Sequence, residues 1–171
     1  MTHTHESDPA CEVAHAEAPA GETGRTLVAV FASPVADCLL RFGAELGYRP
    51  ILVEPDPARG LDGHAAVREL GDLVDATADV VLTDHHREEI GPVLRDLLKS
   101  PARWIGIMGS PRHTAPHVQA LADLGVPPEE IARVHRPIGL NIGSHTPPEI
   151  AVATLAGLIA DRNARPGGFD F

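Results

Sequence analysis

Aromatic side chains are scarce, at 4% of 171 residues. The core must therefore be assembled from Ala, Val, Leu and Ile. Cysteine occurs only as Cys11 and Cys38, neither in a CxxC pair, so no disulfide framework is implied. Cys38 falls on an apolar helical face and reads as a small buried hydrophobe. No apolar run approaches the roughly 18 residues of a membrane-spanning helix. The first 25 residues lack the basic start and apolar centre of a signal peptide, so a cytoplasmic location is expected. Positive charge is also short: 14 basic residues stand against 24 acidic ones, a net charge of −10. That balance argues against general nucleic-acid binding, which needs cations to neutralise phosphates. It leaves room for a single phosphate held locally by amides and one Arg. Lys99 is the only lysine among the basic residues, a bias that reads as genome composition before function. HExxH, a Walker loop and an informatively spaced carboxylate pair are all absent, and the scattered histidines define no nucleophile–base set. No catalytic residue is identified.

Against these absences, 43% of the chain is hydrophobic, enough for one domain with a core. Residues 1–25 form an acidic, His-containing tail without apolar periodicity and are expected to be disordered. Residues 26–164 form the expected domain, and residues 165–171 a loose C-terminal tail. Leu27 to Phe31 is an apolar run of strand length. Val35, Leu39, Phe42 and Leu46 then repeat at helical spacing, and Gly47 ends that helix. Ile51 to Glu54 reads as a second strand closed by Pro55 and Pro57. Residues 58–71 read equally as a short helix or a loop, and Leu73-Val74 as a short strand. Asp79 to Thr83 is a buried strand. Ile90, Val93, Leu94, Leu97 and Leu98 line one helical face. Trp104 to Met108 is another strand, with Val118, Leu121 and Ala122 marking the helix after it. A short helical turn starts at Pro128 and precedes Val134-His135. The last helix is expected from about Pro147 to Ala164, apolar nearly all round from Ile150 to Ala160 and so buried on more than one side. The alternation predicts an α/β, Rossmann-like, mostly parallel sheet with helices on both faces, in a single domain.

Ligands of such sheets bind at the C-terminal edge, where strand order reverses. Two glycine-spaced segments should meet there. Gly106-Ile107-Met108-Gly109-Ser110-Pro111-Arg112 leaves a strand and is expected to enter a helix through Gly-Ser. Pro137-Ile138-Gly139-Leu140-Asn141-Ile142-Gly143 runs toward the last helix. Glycine admits close backbone approach, and a helix N-terminus offers unpaired N–H donors, a combination that suits phosphate. Candidate contacts are Gly106, Gly109, Ser110, Arg112, Gly139, Leu140 and Gly143, with Arg112 pairing a phosphate through its planar fork. Thr83, His85 and Ser33 complete the set from neighbouring strand ends. The bland alternatives stay open: Ser110 as a helix cap, Gly139 and Gly143 as positive-φ hinges, Asp84 as a cap for the next helix. Glu149 either caps the last helix or faces the cleft. His3, His5, Cys11 and His15 have ligand chemistry but irregular spacing, so no metal site is assigned.

Three segments together resemble a known family. They are Val81-Leu82-Thr83-Asp84-His85, Ile105 through Arg112, and Val134 through Gly143 followed by Thr146-Pro147-Pro148-Glu149-Ile150-Ala151. They look like the C-terminal Rossmann domain of the XdhC/CoxI family, over roughly residues 26–162. The family comprises accessory proteins of xanthine dehydrogenase and related molybdenum hydroxylases, including aerobic carbon monoxide dehydrogenase. The resemblance implies binding of the molybdenum cofactor, as molybdopterin or its cytidine dinucleotide, support of its sulfuration, and delivery to the apo-hydroxylase. That is a maturation role more than a turnover role. It implies as partners the apo-hydroxylase, a cysteine desulfurase, or a separate protein of the XdhC N-terminal type, with a homodimer as a further option. The resemblance implies an N-terminal domain in full-length members, where only the 25-residue tail is expected to stand here. The first strand also departs from the pattern: Phe31-Ala32-Ser33-Pro34 stands where a Gly-x-Gly turn is usual.

Two other readings remain. An NAD(P)-dependent oxidoreductase would use the same cleft, with Glu54 holding an adenine ribose. A ligand-free interaction module would use the apolar last helix as its interface, with neither membrane nor nucleic acid as partner.

Overall fold

The computed structural model describes residues 24–110, 112 and 115–168. The tail residues His3, His5, Cys11 and His15, and Pro111 of the Gly-Ser segment, lie outside the described residues. Six strands run in parallel: β1 (Arg25–Val30), β2 (Tyr48–Val53), β3 (Ala66–Val67), β4 (Asp79–Leu82), β5 (Trp104–Ile107) and β6 (Val134–His135). Their order across the sheet is β3-β2-β1-β4-β5-β6. The described residues also form five α-helices: α1 (Pro34–Glu45), α2 (Ile90–Leu98), α3 (Pro116–Asp123) and α4 (Pro128–Ile131) lie between strands, and α5 (Pro147–Arg162) follows β6. This is the α/β Rossmann-like sheet that the alternation predicts. None of the described helices is long and apolar enough to cross a membrane.

The central strands β1, β4 and β5 are nearly continuous buried runs because both sheet faces are covered there, whereas β2 exposes Arg49 and Pro50. Successive side chains point to opposite faces. Val28, Val30, Val80, Leu82, Ile105 and Ile107 therefore join one core with Leu94 and Leu97 of α2 and Leu121 of α3. Leu27, Ala29, Leu52, Val81 and Trp104 join a second core with α1 and α5. Cys38 is buried in that second core, as its apolar setting predicts. Below the sheet, at the N-terminal end of β4, the fully buried Asp79 fastens three elements. It accepts from Tyr48 Oη of β2 (3.2 Å), Arg103 Nε before β5 (2.6 Å) and Arg162 of α5.

Several local expectations need correction. Leu73-Val74 is not a strand: Gly71–Leu73 is a 3₁₀ turn. The ambiguous stretch 58–71 contributes β3, and Val134-His135 forms β6. Both edge strands are two residues long, too short to leave a periodic signal. In α3 the inward residues are His117 and Leu121, while Val118 and Ala122 face outward. On α5, Ala151, Thr154, Leu155 and Leu158 are buried, but Val152 is 51% and Ile159 38% exposed. That helix is thus covered on one side within this chain.

Candidate functional site

Strand order reverses between β1 and β4, and the loops leaving β4, β5 and β6 meet above that edge. They enclose a cleft of about 710 Å³. Thr83 and His85 enter it from the loop after β4, and Gly109, Ser110 and Arg112 from the loop after β5. Residues 137–144 form the opposite wall, backed by Ile150, Ala153 and Thr154 of α5. Eight of the ten residues expected to contact a ligand therefore line one cavity: Thr83, His85, Gly109, Ser110, Arg112, Gly139, Leu140 and Gly143.

Ser33 and Gly106 do not line it, and each has a structural reason for being where it is. Ser33 caps α1 by accepting from Ala36 N (3.0 Å), and its hydroxyl donates to Thr83 Oγ1 (3.0 Å). Gly106 lies inside β5, where a Cβ would come 2.2 Å from the Trp104 ring and 2.8 Å from Ile138 Cγ2. The absence of a side chain there serves packing within the sheet.

The helix entrance expected at Ser110 is also displaced. Ser110 Oγ accepts from Arg112 N (3.2 Å), a local turn, and α3 starts only at Pro116 with Ala115 at its N-cap. Proline at the first helical position fixes that start, since its fixed φ suits the helix and its missing N–H is not required there. The Gly-Ser loop thus offers the cleft a hydroxyl and a guanidinium rather than a helix N-terminus. Asp84 likewise does not cap α2: it accepts from His86 N (2.9 Å), and the N-cap position is Glu89. Glu149 does not face the cleft. It accepts from His145 N (2.8 Å) and Thr146 N (3.1 Å) in a capping box at the start of α5. Those backbone hydrogen bonds hold its carboxyl below the usual carboxylate range.

The glycines of the 137–143 loop differ in what they do. Gly139 has φ +83°, and a Cβ there would stand 3.0–3.1 Å from the backbone of Ala153 and Thr154. Gly157 on α5 packs directly against it. The two glycines let the loop lie flat on α5, with Leu140 N donating to Ala153 O (3.0 Å). Gly143 has φ +70° with open space around it. Residues 165–168 form neither helix nor strand, and Gly167 lies against the Leu140 side chain.

Arg136, which the motif spacing did not single out, supports the cleft from outside its lining. Its side chain passes over Gly109, where a Cβ would be 2.7 Å from Nε, and Nη2 donates to Ser110 O (2.9 Å). It ties the loop after β5 to the end of β6. The available signal was a cation directly before Pro137. Behind it, His117 is 4% exposed, and burial followed by the Arg136 charge pushes its pKa below the usual value. Nδ1 of His117 is buried without a hydrogen-bond partner.

Glu54 is placed differently from a ribose-binding acid. It is wholly buried, accepting from Ala32 N (2.8 Å), Asp56 N (2.9 Å) and both terminal nitrogens of Arg87 (2.9 and 3.1 Å). Burial raises its pKa, but the Arg87 hydrogen bonds and the two amides outweigh that, so it lies below the usual range. The Arg87 guanidinium lies 4.6 Å above the Phe31 ring. Phe31 itself has φ +75°, a left-handed backbone that costs a non-glycine residue about 1–3 kcal/mol and persists only where packing enforces it. Here the enforcement comes from complete burial and the cation stacked on its ring.

The chemistry of the cleft follows from its lining. No described lining residue is acidic, although the chain carries a net charge of −10. Arg112 is exposed at the rim, and Met108, Ile138, Leu140 and Ile150 supply apolar wall. A cavity of one cation, hydroxyls, glycine-rich backbone and apolar wall suits a ring system bearing an anionic group. Among the described residues no group of three or more His, Cys, Asp or Glu is placed to hold a metal ion.

Comparison with known proteins agrees with this architecture. A family model described as the XdhC Rossmann domain matches residues 27–158. The uncharacterized protein YqeB of Escherichia coli (strain K12) is 36% identical over 104 residues, 61% of this chain and 18% of that protein. A Bacillus halodurans protein described as a xanthine dehydrogenase has a crystal structure similar at a TM-score of 0.65 and 22% identity. The similarity covers 85% of this chain and 45% of that one. At that identity the likeness establishes the fold. The chain spans less than half the length of either relative. The matched segment takes in both glycine-spaced loops and nearly all of the sheet, and through it the chain belongs to the XdhC family, as its Rossmann domain.

Proposed function

We propose that this domain is an accessory factor for a molybdenum hydroxylase of the xanthine dehydrogenase type. In this reading its cleft binds the molybdenum cofactor, as molybdopterin or its cytidine dinucleotide, on the way to the apo-enzyme. The observation that carries the reading is a cleft free of described carboxylates in an acidic chain, with Arg112 and Ser110 on one wall and the glycine loop on the other. Family membership and the likeness to the Bacillus halodurans protein described as a xanthine dehydrogenase support the same direction. When bound, the cofactor supplies the redox-active metal of the client hydroxylase. Arg112 and Ser110 would hold its phosphate, Met108, Ile138 and Leu140 would cover the pterin ring, and the backbone around Gly139 and Gly143 would follow its edge. Arg136 keeps the two loops at a fixed spacing through its hydrogen bond to Ser110 O. Binding and orientation are all this residue set is asked to do.

The test is a thermal-shift series with molybdopterin, CMP, CTP, NAD and NADP, wild type beside Arg112→Ala. A ligand at a hundredfold its Kd stabilises a protein by about 2.7 kcal/mol. Stabilisation by molybdopterin or its cytidine form, lost in Arg112→Ala, is the expected result. A shift with NAD or NADP alone would replace this reading with an oxidoreductase. No shift with any ligand would leave a protein-interaction module.

A further inference from the structure

The first turn after β1 is where a dinucleotide laid across a Rossmann sheet places its diphosphate, and an acid at the end of β2 holds its ribose. In this protein both positions are engaged by the chain itself. The Ala32 N–H donates to Glu54 Oε2 and the Asp56 N–H to Glu54 Oε1. Arg87, from the loop after β4, reaches back across the strand reversal and grips both oxygens of the same carboxylate. A second carboxylate, Glu89, takes further hydrogen bonds from that guanidinium (2.7 and 3.2 Å). Phe31, with its left-handed backbone, lies beneath the guanidinium in the first turn after β1. The remaining gap between β1 and β4 is spanned by the Ser33–Thr83 hydrogen bond. None of Phe31, Ala32, Glu54 and Arg87 lines the 710 Å³ cleft, which opens over β4, β5 and β6.

We infer that Glu54 is an internal anion standing where a dinucleotide would bind, so that the domain excludes NAD, NADP and FAD-type dinucleotides laid across β1 and β2. A phosphate-bearing ligand is thereby confined to the β4–β6 half of the sheet edge. The choice of the open half rests on the function proposed above; the closure of the other half does not.

Three arms test the inference. In the first, wild-type protein is titrated with NADH and its fluorescence followed. In the second, hydrogen exchange is read at residues 31–36 and 137–143 with NADH or CMP present. In the third, Glu54→Ala and Glu54→Gln are melted with formate or inorganic phosphate at constant ionic strength. Removing the carboxylate frees two amides and the Arg87 guanidinium, which together make a small-anion site. The expected results are no saturable NADH binding, no ligand-induced protection at 31–36, and stabilisation by the added anion in Glu54→Ala only. Saturable NADH binding to the wild type with protection at 31–36 overturns the inference. So does a folded Glu54→Ala variant that gains no anion-dependent stabilisation. Should Glu54→Ala fail to fold, the two wild-type arms decide. A protein closed to NADH that also shows no protection at 137–143 with CMP would count against the proposed function while leaving this closure standing.

Discussion

Replacing Gly139 by alanine separates two costs that the loop otherwise combines. The first is conformational: φ is +83°, and an L-residue in the left-handed region costs about 1–2 kcal/mol. The second is steric. The new Cβ would meet Ala153 C at 3.0 Å, Ala153 O at 3.1 Å and Thr154 N at 3.1 Å, all helix backbone that no rotamer change can move aside. Overpacking of this kind costs about 1–3 kcal/mol. The sum is roughly 2–5 kcal/mol. Gly143→Ala is the control, since it has φ +70° but nothing within 4 Å of the added carbon. It should lose only the conformational part, about 1–2 kcal/mol. Equilibrium urea unfolding with an unchanged slope measures both losses. The difference between the variants, about 1–3 kcal/mol, is the cost of pressing the loop into α5. A Gly139→Ala variant no less stable than Gly143→Ala would refute the steric argument and show that loop and helix are not held in register.

The buried Asp79 gives another expectation. Asp79→Ala leaves Arg103, Arg162 and Tyr48 facing an empty site, although Arg103 keeps its contact with Asp161 (2.7 Å). Breaking a buried pair costs about 3–5 kcal/mol, and the partial exposure of both arginines puts this loss toward the lower end, read as the urea midpoint. His117 predicts a pH dependence. Its pKa is lowered in the folded state, so the unfolded chain binds the proton more tightly. Its contribution is therefore full above the ordinary value of about 6.5 and is lost as pH falls through the folded value. His117→Leu should flatten the stability profile on the acid side of that value; an unchanged slope would contradict the assignment.

Much of the site was legible in sequence because glycine and proline act locally. The apolar runs 27–31, 79–83 and 104–108 and the loop signals beside them placed three strand ends, and loops at one sheet edge must converge once the sheet is parallel. Eight of the ten candidate contacts share a cavity for that reason. The other two lie outside that cavity for reasons no spacing reveals. Gly106 is explained by the Trp104 ring and Ile138, the latter from a distant part of the chain. Ser33 is engaged by Thr83, fifty residues away. Glu54 ends its strand where an acid can hold a ribose, but its partner Arg87 comes from the far side of the strand reversal.

The sequence by itself determined the strand and helix periods, the covered sheet and the glycine-spaced loops, because those follow from backbone preferences and apolar patterning over a few residues. Only the tertiary structure decided which polar groups are free to meet a ligand. That depends on long-range partners: a buried carboxylate or hydroxyl is engaged by whatever donor the fold brings beside it.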